Sequence, residues 1–165
     1  MPLEELLKKM FKGVNHISLI VFIFLFLGMG IYHTQFSTSE IVYDISLKPN
    51  DTPTINLGAS VYAKNCASCH GANLEGQINW RQRDSNGYLP APPHDESGHT
   101  WHHSDQYLFL ITKFGIEEMI GKRYPNNMPA YKNVLTDNEI IAVLSYIKST
   151  WPEQIKQQHD LLNSR

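Results

Sequence analysis

At 165 residues the chain has room for one globular domain. Its formal charge of −2, from 14 basic and 16 acidic side chains with no basic stripe, gives no footing for a nucleic acid or other polyanion. Two cysteines are too few for a Cys-rich zinc site or an iron–sulfur cluster.

No Asp, Glu, Lys or Arg occurs between Lys12 and Glu40, and Ile17 to Ile31 is apolar apart from Ser18, Gly28 and Gly30. Preceded by Lys8, Lys9 and Lys12, this stretch reads as a membrane anchor or as the apolar part of a secretory signal. The retained anchor, residues 13–33, is the favoured reading. Gly28-Met29-Gly30 is the best cleavage site for the alternative. The strictly apolar centre is short for a span of about 20 residues, but Phe11, Val14, Tyr32 and Phe36 extend it through the interfaces. The positive-inside bias leaves residues 1–12 in the cytoplasm and carries everything after Glu40 across the membrane. Residues 34–56, rich in Ser, Thr, Asp and Pro and without a sustained period, read as a linker.

Helical spacing begins at Leu57, where Gly58, Tyr62 and Cys66 fall on one stripe that leads to His70. The segment ends in Cys66-Ala67-Ser68-Cys69-His70, and Cys-x-x-Cys-His is the spacing that attaches a c-type haem. On a helix the two thiols share a face, so each can bond one vinyl group of the same porphyrin. The next residue, His70, then meets the iron as proximal ligand. The expected cofactor is one covalent haem c, with a thioredoxin-like dithiol as the lesser alternative. With the apolar segment, the motif predicts a single-pass protein of a bacterial inner membrane with its haem domain on the periplasmic side.

Gly71 to His103 is too punctuated by glycine and proline for long elements and is expected to wrap the haem as a loop. Within it His94, His99, His102 and His103 crowd together with Asp95, Glu96 and Trp101. Imidazole with nearby carboxylate suits Cu(II) or Zn(II), so His99, His102 and His103 are candidates for a second metal. Caps, haem contacts or solvated side chains are the plainer reading. Ser104 to Phe114 resumes helical spacing and stops at Gly115, and Gly121 to Lys132 is again loop. Thr136 with Glu139 forms a capping box, opening a helix whose stripe Ile140, Leu144, Ile147 and Trp151 runs to Pro152. Residues 153–165 are left as a tail.

Residues 57–152 resemble a bacterial, single-haem class I c-type cytochrome. The resemblance is carried by Cys66, Cys69, His70 and Gly71, by Met128-Pro129-Ala130-Tyr131, and by Gly58 and Tyr62 facing Val143 and Tyr146. It implies an all-α class I cytochrome c fold, here preceded by the transmembrane helix, with Gly58 and Tyr146 where the first and last helices cross. It implies that Met128 is the sixth iron ligand, a soft thioether that raises the potential relative to two imidazoles. Met119, the competitor, reads as ordinary packing. A proline-bearing loop is implied to supply a carbonyl to the His70 ring, Pro92 and Pro93 being equal candidates. Trp80, Arg81 and Arg83 are candidates for the propionates, and Tyr131 for the pocket wall.

The function implied is that of a one-electron carrier rather than an enzyme. It would move electrons from a quinol-oxidising complex or dehydrogenase to a terminal oxidase or reductase. The alternatives are a haem enzyme or sensor with labile Met128, and a copper-binding or assembly factor using the cluster from His94 to His103.

Overall fold

The computed structural model describes residues 43–164 together with Pro2, Glu4, Glu5, Val21 and Phe24. The expected membrane segment, 13–33, apart from Val21 and Phe24, and the first part of the linker, residues 34–42, therefore lie outside the described residues. Among the described residues no helix is long and apolar enough to cross a membrane. The unit that begins at Tyr43 is all-helical, with no strand among the described residues.

Helix α1 spans Thr52–Asn65, and the short α2, Ala67–His70, follows after a break at Cys66. A 3-10 turn at Thr100–His102 precedes α3, Asp105–Phe114, and α4, Ile116–Ile120. The domain ends with α5, Asp137–Ser149, and α6, Glu153–Asn163. Helix α3 is capped by Ser104, whose Oγ accepts from the Tyr107 N–H, and it stops at Gly115 with φ +84°. Helix α5 opens on the expected capping box, in which the Thr136 side chain accepts from the Glu139 N–H and the Glu139 carboxylate accepts from the Thr136 N–H.

Two expectations are corrected at the edges. Helix α1 starts at Thr52 rather than Leu57, because Asp51 caps it by accepting from the Thr54 N–H at 3.0 Å and Pro53 suits its first turn. The preceding residues are also part of the domain. Leu47 is buried, its N–H donates to Asp105 Oδ2 at 2.8 Å, the Lys48 N–H donates to Ser145 Oγ at 2.9 Å, and Tyr43 packs on Phe109. At the other end, Pro152 does not close the domain. It is the N-cap of α6, which buries His159 completely and packs Ile155 against the core.

The core is built where α1 crosses α5. A Cβ added at Gly58 would run into the Ala142 carbonyl oxygen and lie 2.8 Å from Tyr146 Cβ, so this contact requires glycine. Tyr62 and Tyr146 pack beside it with ring centroids 5.6 Å apart, and Phe109, Ile140, Val143 and Ile147 complete the buried cluster.

His159 gives α6 a pH-dependent grip. Its Nε2–H donates to the His103 carbonyl at 2.8 Å, its Nδ1 accepts from Asn163 Nδ2, and Asp105 Oδ1 lies 3.6 Å from Nε2. Burial, then the nearby Lys148 ammonium, hold its pKa below the ordinary histidine value of 6.5, against the opposing pull of Asp105 and Asp160. The fold thus favours neutral His159. Its contribution is fully present above about pH 6.5 and is lost as pH falls through the lower folded value. His159→Gln is expected to flatten the acid-side fall in stability. Urea titrations at pH 7 and pH 5 that gave the variant the same loss as the parent would refute this.

Candidate haem attachment site

The attachment segment is a helix broken in one place. Cys66 closes α1 by donating its N–H to the Tyr62 carbonyl at 2.9 Å, and its own carbonyl accepts from the His70 N–H at 2.9 Å. With φ −117° at Cys66 the axis is redirected there, while α2 keeps Cys69 and His70 on its own turn. Cys66 is half-buried and Cys69 exposed, and both are free thiols. Burial first, then the neighbouring Cys69, push the Cys66 thiol up to about 11. A dithiol of the thioredoxin kind needs an activated, low-pKa thiolate. Cys66 shows the opposite.

His70 is buried and its ring is held from the edge. Its Nδ1–H donates to the Pro92 carbonyl at 2.8 Å, which leaves Nε2 as the free donor atom for a metal. The choice between the two prolines is thereby made at Pro92. Burial is also the main cause that lowers the His70 pKa, which keeps the ring in the neutral form that ligation requires. Gly76 makes the approach of the proline loop feasible. It has φ +67°, and any side chain there would collide with the Pro92–Pro93 backbone. Pro93 itself is buried with its carbonyl against Gly98.

Tyr131 belongs to the same neighbourhood. It is buried, its hydroxyl donates to the Asn65 carbonyl at 2.8 Å, and its pKa is raised by burial and then by Cys66 and Cys69. Its N–H donates to the Thr112 carbonyl, so it ties the loop after α4 to α3. Within that loop Met128 is partly exposed, and an Asx turn presents it, with the Met128 N–H donating to Asn126 Oδ1 at 3.1 Å. Arg83 holds the start of the loop, donating to the Tyr124 hydroxyl at 3.1 Å.

Trp80 and Arg81 form a separate stack. The Arg81 guanidinium sits 4.2 Å from the Trp80 ring centroid, and the other stacking partner of Trp80 is His99, nearly parallel at 8°. The other histidines of the cluster are likewise taken up by aromatic neighbours. His102 stacks on Trp101 at 3.6 Å, and His103 stacks on Tyr107 at 4.6 Å. His99 and His103 meet edge to face, ring centroids 5.5 Å apart, while the His102 ring lies flat on Trp101. Among the described residues no group of three or more His, Cys, Asp or Glu side chains is placed to hold a metal ion, so the geometry gives the candidate second site at His99, His102 and His103 no support.

His94, grouped by sequence with that cluster, points elsewhere. Its ring lies on His70, centroids 4.0 Å apart and planes 23° from parallel, with Tyr62 at its edge. Nothing local in the sequence separates it from its three neighbours. It is distinguished by long-range bonds, since the Trp151 Nε1–H donates to its carbonyl and its N–H donates to the Leu74 carbonyl.

These donors fit a covalently attached haem. Two unpaired thiols stand on consecutive turns beside a neutral imidazole whose Nδ1 is engaged and whose Nε2 is free. The Cytochrome c family model matches residues 55–151, more than half of the chain. No curated protein and no solved structure gives a match. The chain belongs to the cytochrome c family, whose members transfer electrons through covalently bound haem c.

Proposed function

We propose that this protein is a membrane-anchored class I cytochrome c that carries single electrons between respiratory partners, with His70 and Met128 as axial ligands of the haem iron. The observation that carries the reading is the hydrogen bond from His70 Nδ1–H to the Pro92 carbonyl at 2.8 Å, one residue after the second attachment cysteine. A ring engaged at Nδ1 keeps Nε2 as its free donor atom. The bound haem supplies a one-electron iron couple. The chain's part is to attach it through Cys66 and Cys69, to exclude water with Tyr131 and the core around Tyr62, and to hold the His70 ring still between oxidation states.

Met128 is the soft donor available to the opposite side. It lies in a loop fastened at one end by Arg83 and Tyr124 and at the other by Tyr131, which restricts where its sulfur can go. The partners fitting this role are a quinol-oxidising complex or dehydrogenase as donor and a terminal oxidase or reductase as acceptor, each met through a small transient interface. The uncharged stretch from Gly13 to Ser39 behind three lysines supports a single-pass anchor in a bacterial inner membrane and a periplasmic haem domain.

Met128→Ala tests the ligation. It is expected to leave haem attached while abolishing the low-spin spectrum and the weak long-wavelength band of methionine-bound ferric haem. A variant spectrum identical to that of the parent would assign the sixth position to another residue.

A further inference from the structure

We propose that His94 is a positioning residue for the proximal ligand, its imidazole fixing the rotation of the His70 ring about its Cβ–Cγ bond. The inference rests on reading His70 as the axial ligand. A single hydrogen bond at Nδ1 restrains the ring from its edge but leaves it able to rock about the line of that bond. A second ring lying on its face, 4.0 Å away and 23° from parallel, opposes that rocking.

A face can hold another ring only if it is itself held, and His94 is fixed from several sides. Its Nδ1 lies 2.8 Å from the hydroxyl of buried Thr100. Its N–H donates to the Leu74 carbonyl at 2.7 Å, and its carbonyl accepts from the Trp151 Nε1–H at 2.8 Å. Leu74 is buried and adopts φ +71°, a left-handed conformation unfavourable for a residue that carries a Cβ. The cost is borne at the residue whose carbonyl seats His94. Three separate parts of the chain therefore meet on this one residue: the 3-10 turn at its ring, and the loop after α2 and Trp151, just beyond α5, at its backbone.

A residue that only filled volume would be replaceable by leucine. A positioning role needs a flat ring, which separates the two. The haemoprotein is expected to show NOEs between the His94 and His70 ring protons in its reduced, diamagnetic state. Their absence would overturn the proposal without any variant. His94→Leu is expected to change the spread of g-values in the ferric EPR spectrum and the order of the haem-methyl NMR shifts, both of which follow the plane of the axial imidazole, and to shift the midpoint potential. His94→Phe, which keeps a flat ring, is expected to restore the parent pattern. Parent-like spectra in both variants, or equal disturbance in both, would reject a role for the ring plane. Failure of the underlying ligand reading has a different signature, a parent-like six-coordinate spectrum in His70→Ala.

Discussion

A Cys66→Ala, Cys69→Ala double variant is expected to carry no covalently bound haem, and either single variant at most one thioether and much less holoprotein. His70 would remain as the one proximal donor, and a single iron–nitrogen bond is lost once the fold that aims it is denatured. The thiols are suited to attachment rather than to redox exchange. With Cys66 pushed up to about 11 by burial, hardly any thiolate exists there at neutral pH, and the pair is free rather than joined. The check is a haem stain after denaturing electrophoresis, paired with a pyridine haemochrome. An undiminished stain in the double variant would contradict covalent attachment at these positions. Because a cofactor that binds only the native state stabilises it, the variant is also expected to melt below the parent.

Gly58→Val is expected to remove much of the stability of the domain. The added Cβ meets the Ala142 carbonyl group, whose carbon would lie at 2.6 Å, and this is backbone of the facing helix that cannot rotate aside. Relief requires α1 and α5 to separate, which opens the packing of Tyr62, Val143 and Tyr146. Overpacking costs about 1–3 kcal/mol, and a collision with backbone belongs at the upper end of that range, out of the roughly 5–15 kcal/mol that hold a typical domain. Alanine, which would gain about 1 kcal/mol in an exposed helix, still brings the colliding Cβ and is expected to fall between parent and valine. Urea denaturation followed by far-UV circular dichroism measures this, and coincident midpoints for all three proteins would show that the crossing has slack.

What could be read without coordinates was what the chain encodes locally. Ser104, Gly115, Thr136 with Glu139, and the Cys66-to-His70 motif each act within a few residues, and each sits where its chemistry suggests. Composition hid other local signals. Asp51 and Pro53 open α1 inside a stretch whose Ser, Thr and Pro content resembles a linker. Helix α6 was invisible for a different reason, since its most deeply buried side chain is His159 and a search for apolar periodicity passes over it. The site divides in the same way. The thiols and His70 follow from spacing, whereas the choice of Pro92 over Pro93 depends on Gly76, and the separation of His94 from its neighbours depends on Leu74 and Trp151. Those partners are brought in by tertiary structure alone.

The carboxylate of Asp105 accepts from Leu47 near the beginning of the domain and from Asn163 near its end. The chain therefore enters and leaves this folded body beside the same side chain. Domains whose termini adjoin tolerate circular permutation and insertion into a host loop. A short bridge joining the two ends would let new termini be opened at the exposed turn around Gly87, on the loop between Asp84 and Tyr88. The haem domain is thus a portable module, one that can be spliced into a host protein as a redox insert with both attachment points side by side.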